Sequence, residues 1–272
     1  MLHPVKKSFS IGGFYTFFER TFDKDYFFEG EHHHFWEVAY CIDGIAGISA
    51  DERVFFLHAG DLVVHRPYVH HTTWAETDSI NIMIFSFDLI GELPRELCGA
   101  FSCNDELREK LEYLFYRLKS CEQSNKCTGF LHYLDHRPDE YQEITNYCEN
   151  CLLSIKNGGL QLGLNQSKQA KEYERIIHVM RENLSKNLTV AELANICKLS
   201  PSSMKGLFRR FNSMSIHEFY LHLKMQEAVR LLRAGKTVTE TAELLGFSNQ
   251  SYFSTAFKRE MKMLPGHYRC VE

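Results

Sequence analysis

Between Phe9 and Leu89 the apolar residues come in short runs, some alternating with polar ones, and turn residues cut each run. Examples are "FWEVAYCI" before "DG", "RVFFL" before "HAGD", "LVVH" before "RP", and "INIMIFSF". Runs of this length predict strands, and a series of them predicts a small antiparallel barrel or sandwich. Asp43-Gly44 marks a tight turn, because glycine supplies a positive φ without steric cost. Near Cys103 the period becomes helical. "NDELREKLEYLFYRLKSC" opens on a capping Asn or Asp and repeats Leu107, Leu111, Leu114 and Leu118 on one face. A second helical run covers about residues 139–157 and stops at Gly158-Gly159. The stretch "GGLQLGLNQSKQAK" that follows has the polar, Gly-containing composition of a linker. Beyond residue 172 every segment reads as helix. The expected organisation is two-domain α+β: a β-barrel and helical segment over 1–157, a linker over 158–172, and an all-α domain over 173–272.

Length and charge sharpen this picture. The 272 residues suffice for two domains with cores of their own. From Tyr173 onward there are 15 Lys and Arg against 9 Asp and Glu, whereas residues 1–172 carry 16 against 26. Ten of the 14 histidines also fall in that acidic first part. Such a split predicts halves with different partners, the basic half facing a polyanion. No apolar run reaches the roughly 20 residues of a spanning helix, and "MLHPVKKSFS" lacks the apolar core of a signal peptide. The expected location is therefore the cytoplasm, with no membrane partner. The nine cysteines follow no regular spacing and read as reduced, mostly buried thiols.

The last hundred residues contain a repeat. "TVAELA" at 189–194 matches "TVTETA" at 237–242, an offset of 48 residues, and "MKGLFRR" at 204–210 pairs with "FSTAFKR" at 253–259. Each unit is a short helix, a tight turn, and a second helix that carries two basic residues after an aromatic. That is the helix-turn-helix plan, present twice. Ala194 and Ala242 permit close helix crossing, while Leu193, Met204, Leu207, Phe208, Phe253 and Phe257 supply the apolar faces. Each second helix opens with small polar residues, "SPSSMK" and "SNQSYFST", as a helix entering the major groove requires. Between the units, "IHEFYLHLKMQEAVRLLRAG" reads as one helix of about 18 residues, roughly 27 Å long. That length suits two reading heads in successive major grooves, about 34 Å apart.

These residues resemble the DNA-binding domain of the arabinose-regulator (AraC/XylS) family. "AELLGFSNQSYFSTAFKREMKMLPGHYR" follows its GF-x-x-x-S-Y-F-x-x-x-F-K pattern and its terminal P-x-x-Y-R. Ser213 and Lys262 stand where the family usually has Gly, Ile216 where Pro is common, and Lys224 where Arg is usual. The resemblance implies base contacts from Ser202, Lys205 and the Gly206 position in the first unit, and from Gln250, Ser251, Ser254 and Thr255 in the second. Arg209, Arg210, Lys258 and Arg259 follow where phosphates would be met. Ser203 and Asn249 complete the expected interface, with capping as the alternative role for Ser202 and Ser203 and turn formation as that for Asn249.

The stretch "GEHHHFWEVAYCIDG" and the later "GDLVVHRPYVHHTT" resemble the two boxes of the cupin barrel, with His32, His34, Glu37 and His71 where metal-binding members place their ligands. Two readings follow, beside that of a ligand-independent regulator controlled by a protein partner. One is a metal-dependent enzyme barrel fused to a DNA-binding tail; imidazoles plus a carboxylate suit Fe, Mn, Ni or Zn. The other is a metal-free sensor pocket, which is what the arabinose-regulator resemblance implies, with His32, His34, Glu37 and His71 bonding to ligand hydroxyls and Trp36 or Trp74 stacking on the ligand. Arg66 either binds an anion inside the barrel or pairs with an acid at the surface. Cys148 and Cys151 form C-x-x-C, but on a helix that spacing only puts two small residues on one face. No nucleophile elbow, phosphate loop or triad pattern occurs in the sequence.

The expectation is a ligand-responsive transcriptional regulator, an activator rather than a repressor. Its expected partners are promoter DNA, RNA polymerase, a small-molecule effector such as a sugar and a second copy of the chain. No catalytic residue, metal or cofactor is expected. The leucine face of the first long helix is expected to pair with the same face of a second subunit.

Overall fold

In the computed structural model, which describes residues 3, 7–91, 93–123, 136–164 and 167–269, the chain divides into two units: Met1–Ala50 with Phe55–Leu164, and Asp51–Val54 with Asn165–Glu272. Among the described residues there are ten strands: β1 (Phe9–Asp23), β2 (Phe27–Glu31), β3 (Trp36–Asp43), β4 (Ile45–Ala50), β5 (Arg53–His58), β6 (Asp61–His65), β7 (His71–Ala75), β8 (Ser79–Gly91), β9 (Gly99–Cys103) and β10 (Gly159–Gln161). They form a six-stranded sheet, β1-β8-β3-β6-β9-β10, and a four-stranded sheet, β2-β7-β4-β5. Successive side chains alternate between faces of a strand, so β3, β6, β8 and β9 of the larger sheet each feed two cores. On β3, Ala39 and Cys41 pack with Val63, Ile80, Ile82, Ile48, Phe55 and Leu57, filling the space between the sheets. Their neighbours Val38 and Tyr40 join Leu62, Val64, Phe85 and Phe87 on the other face, which two helices cover.

Those helices are α1 (Asp105–Gln123) and α2 (Pro138–Gly158). Asn104 caps α1, its side-chain oxygen accepting from the Leu107 N–H at 3.0 Å. Leu107, Leu111, Leu114 and Leu118 are at most 2% exposed and pack against Ile144, Cys148, Cys151, Leu152 and Ile155 of α2. The leucine face is thus covered within the chain, and it does not serve a second subunit as expected. A helical period reveals that a face is apolar, not what covers it. Both cysteines of the C-x-x-C pair lie in this core.

The expected linker is shorter than 158–172. Gly159–Gln161 adds an edge strand to β9, with Leu160 opposite Ser102, and the Leu162 N–H extends the pairing to Ala100 O at 2.8 Å. Ser167 then caps the next helix. A short polar stretch of this kind takes up an open sheet edge because the backbone groups there lack partners.

The second unit is helical: α3 (Lys168–Glu182), α4 (Val190–Ile196), α5 (Pro201–Phe211), α6 (Ile216–Arg233), α7 (Val238–Leu244) and α8 (Gln250–Met261). Its starts are set by the sequence locally. Thr189, Ser215 and Thr237 form capping boxes with Glu192, Glu218 and Glu240; Ser200 and Asn249 cap α5 and α8. Each such cap is worth about 1 kcal/mol. Phe208, Phe219, Phe253 and Phe257 are fully buried, and Ala194 and Ala242 sit where α4 and α7 meet their neighbours, 1% and 2% exposed. Burying each aromatic contributes roughly 1.5–3 kcal/mol.

Candidate nucleic-acid interface and interior polar cluster

The second helices of the two units, α5 and α8, each bury one face and expose the other. On α5, Met204, Phe208 and Phe211 point inward, while Ser202, Ser203, Lys205, Gly206, Arg209 and Arg210 are exposed. A side chain built at Gly206 meets nothing within 4 Å, so this position is open surface. On α8, Phe253, Ala256, Phe257 and Met261 point inward; Gln250, Ser251, Thr255, Lys258 and Arg259 are exposed, and Ser254 is partly buried. All the residues expected at the interface except Ser254 therefore lie on exposed surface.

Asn249, Ser203 and Gln250 also make contacts within the unit. Asn249 Oδ1 accepts from the Tyr252 N–H at 2.8 Å, the capping role. Ser203 donates its backbone N–H to Ser200 Oγ at 3.0 Å, leaving Ser202 as the serine outside the cap. Gln250 Oε1 accepts from Thr239 Oγ1 at 2.8 Å, which fixes the carboxamide and leaves its NH2 group to donate. Tyr252, outside the expected set, is 57% exposed and stands three residues from Asn249 and three from Thr255 on the outer face. Helical spacing alone would have found it.

Inside the β unit, three strands bring polar residues side by side. Glu37 of β3 lies opposite His65 of β6 and Ser86 of β8, on the face between the sheets. Ser86 in turn bonds Thr16 of β1, Oγ to Oγ1, at 2.6 Å. From the smaller sheet His71 reaches the same carboxylate, with Nε2 3.3 Å from Glu37 Oε1. His33, in the turn before β3, completes the group with Nε2 3.6 Å from Oε2. Each of these two imidazoles is held from behind: His33 Nδ1 is 2.9 Å from Phe35 O, and His71 Nδ1 is 3.1 Å from Val69 O. His33 stacks on Phe35 at 3.9 Å and accepts the Tyr68 N–H at its carbonyl, while His65 stacks on His71 at 4.1 Å.

Burial would raise the Glu37 carboxyl, but contacts with His33 and His71 and the nearby imidazole charge outweigh it and hold the group well below the usual carboxylate range. His71 goes the other way: burial lowers it, and Glu37 more than compensates, leaving it raised. Burial, reinforced by His71, pushes His65 well down and His70 down to about 3, so both are neutral rings near pH 7.

The other residues expected in this pocket lie elsewhere. Trp36 precedes Glu37 in a strand and so takes the opposite face, against the helix-covered core. Trp74 lies over Gly47, its register partner, on the outer face of the smaller sheet; a Cβ at Gly47 would come within 2.1 Å of the indole. Arg66 is exposed, which favours the surface alternative. His34 is exposed and contacts Tyr15 Oη at 3.1 Å, and His32 is half-buried outside the Glu37 group. Glu37 and His71 are thus the only expected pocket residues that meet, and His33 and His65 join them unforeseen.

Both halves of the chain match family models. Residues 15–100 match an AraC-like ligand binding domain, and residues 193–270 match a helix-turn-helix domain. The chain belongs to the AraC family. The first of these AraC-type domains spans the Glu37 group, and the second spans both exposed helices. Among relatives, the probable transcriptional regulator LumQ of Photobacterium leiognathi is 33% identical over 137 residues, which are 47% of this chain and 55% of LumQ. The HTH-type regulator YdeC of Bacillus subtilis is 22% identical over 236 residues, 84% of this chain and 81% of its own. The transcriptional activator RhaR of Yersinia pseudotuberculosis is 29% identical over 100 residues, 36% of this chain and 34% of RhaR. The alignment thus spans about half of LumQ and a third of RhaR. Among solved structures, ToxT from Vibrio cholerae aligns over 97% of this chain and 98% of its own with 14% identity and a TM-score of 0.39, a likeness too loose to carry an argument.

Proposed function

We propose that this AraC-type chain is a sequence-specific transcriptional regulator, most simply an activator, whose DNA binding responds to a small-molecule effector in the β unit. The observation that supports it best is the pair of helices α5 and α8. Each is capped at its start by a polar residue, buried along one face, and exposes short polar side chains followed by two cations. A major-groove reader needs that order, with base-edge contacts near the N-terminus and phosphate contacts a turn or two later. In this reading Ser202, Lys205, Gln250, Ser251 and Thr255 face bases, Tyr252 flanks them, and Arg209, Arg210, Lys258 and Arg259 face phosphates. Activation, with RNA polymerase as partner, is favoured by the description of RhaR as an activator. A sugar or related metabolite fits the hydroxyl-bonding groups Glu37, His65 and Ser86. The same reading makes the protein a cytoplasmic homodimer without catalytic activity; among the described residues, no helix is long and apolar enough to cross a membrane.

Sequencing the genomic fragments that the purified full chain retains tests the reading. Enrichment of a few promoters sharing one motif is expected, and their genes would point to the metabolite. Uniform recovery of the genome, insensitive to competitor DNA, would sink it.

A further inference from the structure

The carboxylate–imidazole group in the β unit has a feature that hydroxyl recognition does not explain. A carbonyl oxygen only accepts, so Nδ1 of His33 and Nδ1 of His71 each carry a proton toward Phe35 and Val69. The opposite nitrogen, Nε2, has no hydrogen-bond partner among the described residues in either ring, although both side chains are more than nine-tenths buried. Both Nε2 atoms face Glu37. If the rings are neutral, two lone pairs confront a carboxylate, which is repulsive. If one ring is protonated it pairs with Glu37, and the other still turns a lone pair toward that carboxylate; if both are protonated, one carboxylate faces two buried cations.

We propose that Glu31, His33, Glu37 and His71 bind one divalent first-row transition ion. One ligand atom from each of the four lies within 4.8 Å of all the others. His71 Nε2 lies 3.3 Å from Glu37 Oε1 and His33 Nε2 lies 3.6 Å from Oε2, each near the roughly 3.4 Å between neighbouring donors of a tetrahedral ion with bonds of about 2.1 Å. The lone pairs then point at the ion, and two carboxylates balance its charge. Two imidazoles among the donors select zinc, iron, nickel or copper over magnesium and calcium. The outer ring nitrogens are anchored on backbone carbonyls, the arrangement that orients metal-bound histidines. Glu31 is exposed and pairs with His71 in the β2–β7 ladder, so it gives the ion a route in from solvent. The set differs from the one that box spacing suggests, since His32 and His34 are replaced by His33 and Glu31.

This inference rests on reading the β unit as the ligand-binding half, but not on an organic effector. The probe is cobalt(II), whose visible ligand-field bands report coordination, titrated into full-length protein stripped with a chelator. One equivalent should bind with tetrahedral-type absorption and be displaced by zinc(II). His33→Gln, Glu37→Gln and His71→Gln should each weaken binding at least about tenfold. His34→Gln, on the exposed contact with Tyr15, should leave it unchanged. Circular dichroism checks folding, and His33→Gln, in a turn, decides the matter if the two buried variants fail to fold. The proposal is overturned if the wild type binds no cobalt above a nonspecific background, if His33→Gln binds as well as wild type, or if His34→Gln weakens binding as much. A melting shift with an organic compound in chelator is scored separately: a shift without cobalt binding removes the ion and keeps the sensor, and cobalt binding without any shift does the reverse.

Discussion

Lys198 and Gly246 occupy the same place in the two helix-turn-helix units, 48 residues apart, and both hold a left-handed backbone, with φ of 53° and 73°. The hydrogen bonds around them match. Lys198 N–H donates to Asn195 O as Gly246 N–H does to Glu243 O, and the next residues, Leu199 and Phe247, reach Ala194 O and Ala242 O, both at 2.9 Å. These are the paired bonds of a Schellman helix end, where glycine is the residue without strain. Lys198→Gly should therefore stabilise the protein by roughly 0.5–1 kcal/mol, read as a higher midpoint in urea with an unchanged slope. Gly246→Ala should destabilise it by more, because its Cβ would also lie 2.2 Å from Ser185 O.

DNA affinity should separate two kinds of contact on α5 and α8. Gln250→Ala should cost about 1–3 kcal/mol on the native operator and relax discrimination at one position. Arg210→Ala should weaken binding to all sequences alike and reduce the salt slope by about 1. Asn249→Ala should lower the stability of the fold by about 1 kcal/mol, since its oxygen caps α8. Titrations of operator and scrambled duplex at several salt concentrations check all three.

Lys224 of α6 is 3% exposed and donates to Leu245 O at 2.7 Å and Asn187 Oδ1 at 2.9 Å. Burial pushes its ammonium down to about 8 from 10.5. Between those values the unfolded chain binds more protons than the folded one, so this group makes stability rise with pH across that window. Its charged form costs most below about pH 8. Subtracting the pH profile of a Lys224→Met variant should leave that rising slope, and a flat difference would show that the ammonium is not desolvated.

The cores behind α1 predict two further results. Leu114→Ala should cost about 2–5 kcal/mol of stability without altering the oligomeric state in sedimentation, because the residue packs inside its own chain. Burial holds Cys148 well above the usual thiol range and Cys151 up at about 12. Native protein at pH 8 should thus leave both unlabelled by maleimide, with modification appearing only on unfolding.

What the sequence disclosed follows from how local each signal is. Thr189 with Glu192, Ser215 with Glu218 and Thr237 with Glu240 are caps three residues long, and every one forms. The repeat in the second unit was likewise legible, since both halves obey the same short-range chemistry. The interior group was half legible. Trp36 follows the alternation of a strand, which the sequence itself contains, and so leaves the face of Glu37. Choosing among His32, His33 and His34 depended instead on Tyr68, whose N–H holds the turn 35 residues away at 2.7 Å. No local pattern encodes that bond, and none told that α2 would cover the leucines of α1.

The most direct measurement for the central claim is a hydroxyl-radical footprint of the full chain on a captured promoter. Two reading helices in one unit predict protected segments on one face of the duplex, about 10–10.5 base pairs apart for each bound chain. A single protected segment per chain, unchanged by Gln250→Ala, or segments on opposite faces of the duplex, would contradict it.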